Sequence, residues 1–153
     1  MRVLKILLAW LAAVVTAAGL GSIVQTQFNL AAIATLNGPV KPRLRLETTW
    51  LDLHGFAPGY ALVVGAAFLV AWPVAAALVR LRPSWRAGMY LLAGGIGVYA
   101  ALAVMNAVFP VTVIGASRGV AGTACLSAAG AAGGWVFARL TGRLASTGAA
   151  GAR

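Results

Sequence analysis

Three side chains in this sequence have the types that acid–base or metal chemistry needs: Glu47, Asp52 and His54. A carboxylate and an imidazole can exchange a proton or bind a metal ion, and the spacing of Glu47 and His54 would place them on one face of a helix. Zinc sites need three or four protein ligands, however, and the chain offers one His and one Cys, Cys125. A second chain would have to complete a metal site. We therefore expect no catalytic residue, metal or cofactor here, and predict that the three side chains face water or lipid head groups.

Arg118 raises a different electrostatic question, because it lies at the start of an apolar segment. The positive end of a helix dipole disfavours a cation there, so Arg118 needs a lipid phosphate or a carboxylate beside it. Glu47 and Asp52 are the two acids of the chain. We predict that Arg118 pairs with one of them, and that Asn106 joins the same polar cap. The predicted polar cap thus comprises Glu47, Asp52, His54, Asn106 and Arg118.

The composition decides which kind of fold must position these residues. Of 153 residues, 61% are hydrophobic and 9% are charged, and the mean hydropathy is +0.92. Soluble domains carry about 25% charged residues, so the chain is predicted to be an integral membrane protein. Its single Cys excludes an internal disulfide, and its single His excludes a site that needs two imidazoles.

Four long stretches of the sequence have no charged residue: 6–40, 55–79, 87–117 and 119–138. A helix needs about 20 apolar residues to cross the hydrocarbon core, and each stretch is long enough. Because the first and third stretches become polar toward their ends, we place membrane spans near 4–24, 58–79, 87–109 and 119–138. The predicted fold is all-α: a single membrane domain over 1–153, built as a four-helix bundle with a short polar extracytoplasmic segment at 25–57 and a cytoplasmic tail at 139–153.

Basic residues are distributed unevenly over the two predicted membrane faces. With the N-terminus inside, the cytoplasmic face has the larger share of Lys and Arg, and the other face has both acids. The positive-inside rule therefore predicts a multi-pass protein of the cell inner membrane with both termini in the cytoplasm. The basic tail fits contact with anionic lipid head groups of the bilayer and indicates no nucleic acid partner. The cytoplasmic set is Arg2, Lys5, Arg80, Arg82, Arg86, Arg139, Arg143 and Arg153, and the opposite set is Lys41, Arg43, Arg45 and Arg118.

The first span has an alternative interpretation as a cleaved signal peptide over residues 1–18. Arg2 and Lys5 are typical of a charged n-region, and residues 16–19 are small, as at a peptidase site. The apolar run continues to Val24, however, beyond the usual length of a signal-peptide core. We expect an uncleaved anchor, and the mass of the mature chain distinguishes the two.

The start of the extracytoplasmic segment has two possible courses. The polar residues at 25–29 either continue span one as a helix to Leu36, or precede a stretch at 28–36 that lies along the membrane interface. Asn-Gly-Pro at 37–39 then predicts a stop.

The rest of the segment is predicted to lead into span two through a short helix. Charge and Leu alternate after Pro42 at 41–46, which predicts an extended course. A Thr at position 48 or 49 is predicted to cap a short helix that ends at Gly55. Pro58 would then lie in the first turn of span two.

The fourth span is rich in small residues, and Gly130 and Gly134 form a GxxxG pair within it. A second pair, Gly115 and Gly119, lies at its entry. Apolar helices in lipid associate through close packing of small surfaces, so the fourth span is predicted to pack against the other three spans or against another subunit.

The predicted membrane interior has no Asp, Glu, His, Lys or Arg at mid-depth. Its polar side chains are those of Thr16, Thr123, Cys125 and Ser127. Proton- or cation-coupled transport needs a buried ionisable group. Small multidrug transporters need an acid in the first span, quinone-linked disulfide-forming proteins need paired cysteines, and four-helix b-type cytochromes need His ligands within the spans. The residue inventory excludes these classes.

Two polar stretches border the first two spans: Gln-Thr-Gln-Phe-Asn at 25–29 and Asp-Leu-His-Gly-Phe-Ala-Pro at 52–58. In this arrangement the chain resembles small, uncharacterised four-span proteins of the bacterial inner membrane. The resemblance implies an architecture and no activity.

The sequence is compatible with three functional hypotheses. The leading one is a non-enzymatic packing, assembly or accessory subunit that contacts itself or another membrane subunit. An alternative is a carrier or permeation protein for a small neutral or lipidic solute, bound between Gly-lined helices. A second alternative is a membrane enzyme with an extracytoplasmic acid and His site at Glu47, Asp52 and His54.

Overall fold

The computed structural model describes residues 2–150, and the side chains of residues 3–142. Within this range the chain forms four long helices: α1 (Arg2–Asn37), α2 (Pro42–Leu81), α3 (Arg86–Val108) and α4 (Val120–Ala150). Each is long and apolar enough to cross a membrane, and the described range contains no β-strand. The predicted all-α, multi-pass membrane bundle is therefore confirmed. Arg153 and the side chains of Arg2 and Arg143, which entered the predicted charge balance, lie outside the described residues.

The four helices form a closed ring of neighbours. α1 packs against α2 and α4, and α3 packs against the same two helices. Short connections join each helix to the next, as expected of an up-and-down bundle. We call the end at which α2 meets α3 the basic end, because Arg80, Arg82 and Arg86 lie there. The opposite end, at which α1 turns into α2, is called the hairpin end.

Large apolar side chains lie on both the inside and the outside of the bundle. Phe68 and Leu126 are fully buried between the helices, whereas Leu62 and Ile96 point outward and are mostly exposed. An outward apolar surface is required in the hydrocarbon core, where water is absent and helices satisfy their own backbone hydrogen bonds. The packing face of each helix is therefore the face whose side chains are buried. Hydrophobicity does not distinguish this face, because the outward face is apolar as well.

The α3–α4 contact depends on glycines that let two backbones approach. A Cβ added at Gly134 would overlap the backbone carbonyl of Tyr90, and one added at Gly130 would lie 2.6 Å from the carbonyl oxygen of Gly94. Both glycines of the GxxxG pair thus face α3 within one chain. The second pair divides: Gly115 packs against Asn29 of α1, and Gly119 has no neighbour within 4 Å of its Cβ position in the described part of the chain.

The segment predicted at 25–57 is a continuous helical hairpin. α1 runs unbroken to Asn37, which is the first of its two predicted courses, and Gly38 turns the chain with a φ of +83°. The 36 residues of α1 span about 54 Å, against a hydrocarbon core of about 30 Å, so α1 extends well beyond the core. We call residues 25–57 the hairpin.

The predicted course from 41 to 58 is wrong. α2 begins at Pro42 and continues through Gly55 and Pro58 without the extended stretch, the short capped helix or the break. Pro42 is at the start of the helix, where no N–H donor is needed, and side chains of the following turns are hydrogen-bonded to α1. Ala57 and Tyr60, on either side of Pro58, are buried in the bundle. At the other terminus, α4 continues to Ala150 through most of the predicted tail.

Candidate functional site

At the hairpin end, polar side chains join α1 to α2. Thr26 is fully buried, and its Oγ1 lies 2.6 Å from Oδ2 of Asp52. Arg45 donates to Oε1 of Gln27 over 2.8 Å, and Nε2 of Gln27 donates to Thr49 over 3.2 Å. These bonds use the side chains of the hairpin to hold its two helices together, and they occupy Asp52 in a structural contact.

Glu47 and His54 do not converge on Asp52. Glu47 accepts a hydrogen bond from Nε of Arg43 at 2.7 Å, one turn earlier on the exposed surface of α2. Nδ1 of His54 lies 2.9 Å from the backbone oxygen of Trp50, and the two rings are in contact. Glu47, Asp52 and His54, the residues of the alternative enzyme hypothesis, therefore each have a separate partner. Among the described residues, no three His, Cys, Asp or Glu side chains are grouped as metal ligands.

Asn106 and Arg118 lie on the opposite side of the hairpin end, between α3 and α4. Asn106 is 3.3 Å from the hydroxyl of Ser117, and both residues line a cleft of about 670 Å³ together with Arg118. Arg118 forms an ion pair with neither acid, so its predicted pairing is wrong. It ends the 3₁₀ turn Gly115–Arg118 between α3 and α4, whereas Asp52 contacts Thr26 of α1.

The connection from α3 to α4 is fixed by a residue that the predicted polar cap did not include. Gln25 of α1 is buried, and its Oε1 accepts a hydrogen bond of 2.7 Å from the backbone N–H of Ala116. The predicted polar cap is thus two separate clusters, one between α1 and α2 and one between α3 and α4. The polar residues at 25–27 carried the available signal, because they interrupt an otherwise apolar stretch.

At the basic end, the four helices enclose a cavity of about 530 Å³. Each helix contributes two side chains spaced four residues apart, which is the spacing that puts them on one helix face. The pairs are Ile6 and Trp10 on α1, Phe68 and Trp72 on α2, Arg86 and Tyr90 on α3, and Phe137 and Thr141 on α4. The cavity is therefore built by one face of every helix in the bundle.

Aromatic rings form the inner wall of this cavity. The ring of Phe137 stacks on Trp72 with centroids 4.0 Å apart and meets Tyr90 edge-on at 5.0 Å. Phe68 stacks on the other side of Trp72 at 4.4 Å. All four side chains are buried, so the rings hold one another in fixed positions and give the cavity a rigid apolar wall.

The mouth of the cavity opens between α1 and α2. Ile6 and Leu7 of α1 and Leu69 of α2 line the cavity and are exposed, whereas its lining residues on α4 are buried. The exposed side chains at this opening are apolar. A mostly apolar cavity with a few polar groups is the usual form of a small-molecule site, and its volume lies in the range of about 300–1,000 Å³.

Arg86 is the charged group of the cavity. Its side chain is half-buried, one Nη donates to Oγ1 of Thr141, and its Cζ lies 5.1 Å from the centre of the Tyr90 ring. The Thr141 hydroxyl in turn donates to the backbone oxygen of Phe137 over 2.6 Å. These contacts fix the guanidinium at the edge of the aromatic wall.

Several buried N–H groups around the cavity have no hydrogen-bond partner within the described residues. They are Nε of Arg86 and the indole Nε1 of Trp10 and of Trp72. Buried donors in proteins are nearly always satisfied, and each one left unpaired costs about 1–3 kcal/mol. Arg86 was used only in the count of basic residues on the two membrane faces, and the cavity was not predicted. The sequence feature that corresponds to the cavity is the spacing of four residues within each of the four pairs.

No protein-family model, no curated protein and no solved structure matches this chain.

Proposed function

We propose that this protein is a non-enzymatic integral membrane protein that binds a lipidic molecule in the cavity at its basic end. The observation that carries the proposal is an apolar cavity of about 530 Å³ that is lined by aromatic side chains and by one half-buried arginine, Arg86. An apolar chain fits the aromatic wall, and a hydrogen-bond acceptor on the same molecule can bind the accessible part of the Arg86 guanidinium. This corresponds to the hypothesis of a carrier for a lipidic solute.

The charge distribution supports an orientation in which the cavity lies in the cytoplasmic leaflet of the inner membrane. Both acids of the chain belong to the hairpin, and the basic residues Lys5, Arg80, Arg82, Arg86 and Arg139 belong to the basic end. Under the positive-inside rule the basic end and both termini are cytoplasmic. A lipid of that leaflet then enters sideways, between α1 and α2, without leaving the bilayer.

Two matched variants test occupation of the cavity. Ala76 lines it, whereas its neighbour Ala77 is exposed on the outside of α2. Ala76→Phe should fill the cavity and remove the lipid that stays bound through extensive delipidation, and Ala77→Phe should retain it. The measurement is native mass spectrometry of the protein released from mild detergent, with thermal unfolding to show that both variants fold. Equal retention of lipid by the two variants contradicts the proposal.

A second function, that of an accessory subunit, is favoured by the cleft between α3 and α4 at the hairpin end. Small side chains line its wall, including Gly95, Ala124 and Ser127, and Arg118 at its edge has no carboxylate partner in the described chain. A partner transmembrane helix with an acid near its outer end would fill the cleft and pair with Arg118. Loss of a co-purifying subunit on Arg118→Gln, but not on Arg43→Gln, tests this function.

A further inference from the structure

The hydrogen bonding of Arg86 leaves part of its guanidinium available to a ligand. A guanidinium has five N–H donors in a planar fork. Within the described residues Arg86 makes one side-chain hydrogen bond, from Nη2 to Thr141, whereas its Nη1 makes none and is not buried. The Tyr90 ring lies beside the guanidinium and supplies no acceptor in the plane of the fork. The group most easily bound here is an oxyanion, which accepts two hydrogen bonds from the fork.

Among the described residues, the charge of Arg86 also has no counter-ion. Glu47 and Asp52 are the two acids of the sequence, and they contact Arg43 and Thr26 at the hairpin end. Arg86 is moreover the first residue of α3, where the helix dipole adds positive potential. A half-buried cation without a carboxylate is costly in an apolar setting, and an anionic group on a bound ligand would supply the counter-ion.

Arg139 shows what an ordinary interfacial arginine looks like at the same end of the bundle. It is exposed, it lies over the ring of Trp135 at 4.9 Å, and it does not line the cavity. Water and lipid head groups can solvate such a side chain without any specific site. Arg86 differs because its side chain is half-buried, is hydrogen-bonded to Thr141 and lines an apolar cavity.

Building on the proposed function, we propose that the ligand of the cavity is an anionic amphiphile. Its phosphate or carboxylate oxygens accept hydrogen bonds from Arg86, and its apolar chain lies against Trp72 and Phe137. Thr141 is a positioning residue, because its hydroxyl accepts from Arg86 and donates to the backbone of α4, which orients the fork. The site therefore selects lipids by the charge of the head group as well as by the chain.

The test compares phosphatidylglycerol with diacylglycerol of identical chains, which has no phosphate; each is titrated into delipidated protein in a neutral detergent and followed by native mass spectrometry. The wild type should bind phosphatidylglycerol about tenfold more tightly, the factor expected of one charge-assisted hydrogen bond. Arg86→Gln should abolish this preference, and the matched variant Arg139→Gln should retain it. Arg86→Lys keeps the charge but not the fork, and Thr141→Val keeps the fork but not its orientation; both should reduce the preference and leave the fold intact.

The alternative results separate this proposal from the one on which it rests. If the wild type binds both lipids equally and Ala76→Phe blocks both, the head-group proposal is overturned and lipid binding stands. If Ala76→Phe changes nothing, both proposals are overturned.

Two further results would contradict the proposed ligand. Inorganic phosphate that binds to the protein as tightly as phosphatidylglycerol would identify a site for the free anion and would overturn the proposal of an amphiphile. If Arg139→Gln removes the preference as fully as Arg86→Gln, general surface charge is responsible and the proposed site is contradicted.

Discussion

Thr26 of α1 lies 2.6 Å from Asp52 of α2, and this contact joins the two helices just beyond the predicted end of the first span. The Thr26 oxygen is also 2.9 Å from the backbone oxygen of Ser22, so one hydroxyl proton has two acceptors within reach. The contact uses one of the two acids of the chain, and Thr26 is fully buried. Asp52, which was predicted to face water or lipid head groups, therefore has a structural partner inside the protein.

Thr26→Val should destabilise the bundle. The substitution retains the shape of the side chain but leaves the partly buried Asp52 carboxylate without its donor, at a cost of about 1–3 kcal/mol. Thr35 is the control, because it is exposed on the same helix and bonds only to its own backbone, so Thr35→Val should change the stability by less than about 0.5 kcal/mol. Unfolding in mixed micelles measures both, and equal stabilities would show that the Thr26–Asp52 contact is unimportant.

Gly134→Ala should loosen the contact between α3 and α4. The new methyl group would meet the backbone carbonyl of Tyr90, which cannot rotate away as a side chain can, so we expect a loss of about 1–3 kcal/mol. Gly119→Ala belongs to the other glycine pair and has open space around its Cβ position, so it should be nearly neutral. Thermal stability and oligomeric state are measured together. A change in oligomeric state with unchanged monomer stability would mean that Gly134 serves a contact between chains.

The sequence predicted the number of helices, but it did not predict which way their side chains face. Charge-free length is a property of the sequence, and it correctly predicted four spans. The direction in which a side chain faces depends on how each helix is rotated, which composition does not record. Arg118 and Asp52 share one end of the bundle but face different neighbours. The cavity depends on the same rotations, because four residue pairs on four helices must all turn inward.

Helix ends were the other source of error, for a related reason. Gly55 and Pro58 are local signals for the end of one helix and the start of the next, and they predicted a break that the structure does not have. Ala57 and Tyr60, on either side of Pro58, are buried in the bundle, and this packing stabilises α2 over the same residues. Tertiary contacts outweigh local propensity there, and a sequence without its fold does not reveal them.

Replacement of both Glu47 and His54 by Ala should leave stability and lipid binding nearly unchanged. The ion pair of Glu47 with Arg43 is an exposed pair one helical turn apart, worth about 0.5 kcal/mol or less, and His54 bonds only to its own helix. Asp52→Ala is the comparison, and it should resemble Thr26→Val because the same contact is lost. A catalytic function at the hairpin would instead require that all three substitutions reduce one activity together, and such a result would favour the enzyme hypothesis.

Labelling of single cysteines should place the hairpin outside the cell membrane and the basic end inside. Leu36 and Leu81 are both about four-fifths exposed and lie at opposite ends of the bundle, which makes them a matched pair. Both variants are made in a Cys125→Ser background and labelled with a membrane-impermeant maleimide. Leu36→Cys should react in intact cells whose outer membrane has been permeabilised, whereas Leu81→Cys should react only after lysis. The physical reason is the larger basic charge at the Leu81 end, which resists translocation. The reverse pattern would move the cavity to the other leaflet, and Arg86 would then meet the lipids of that leaflet instead.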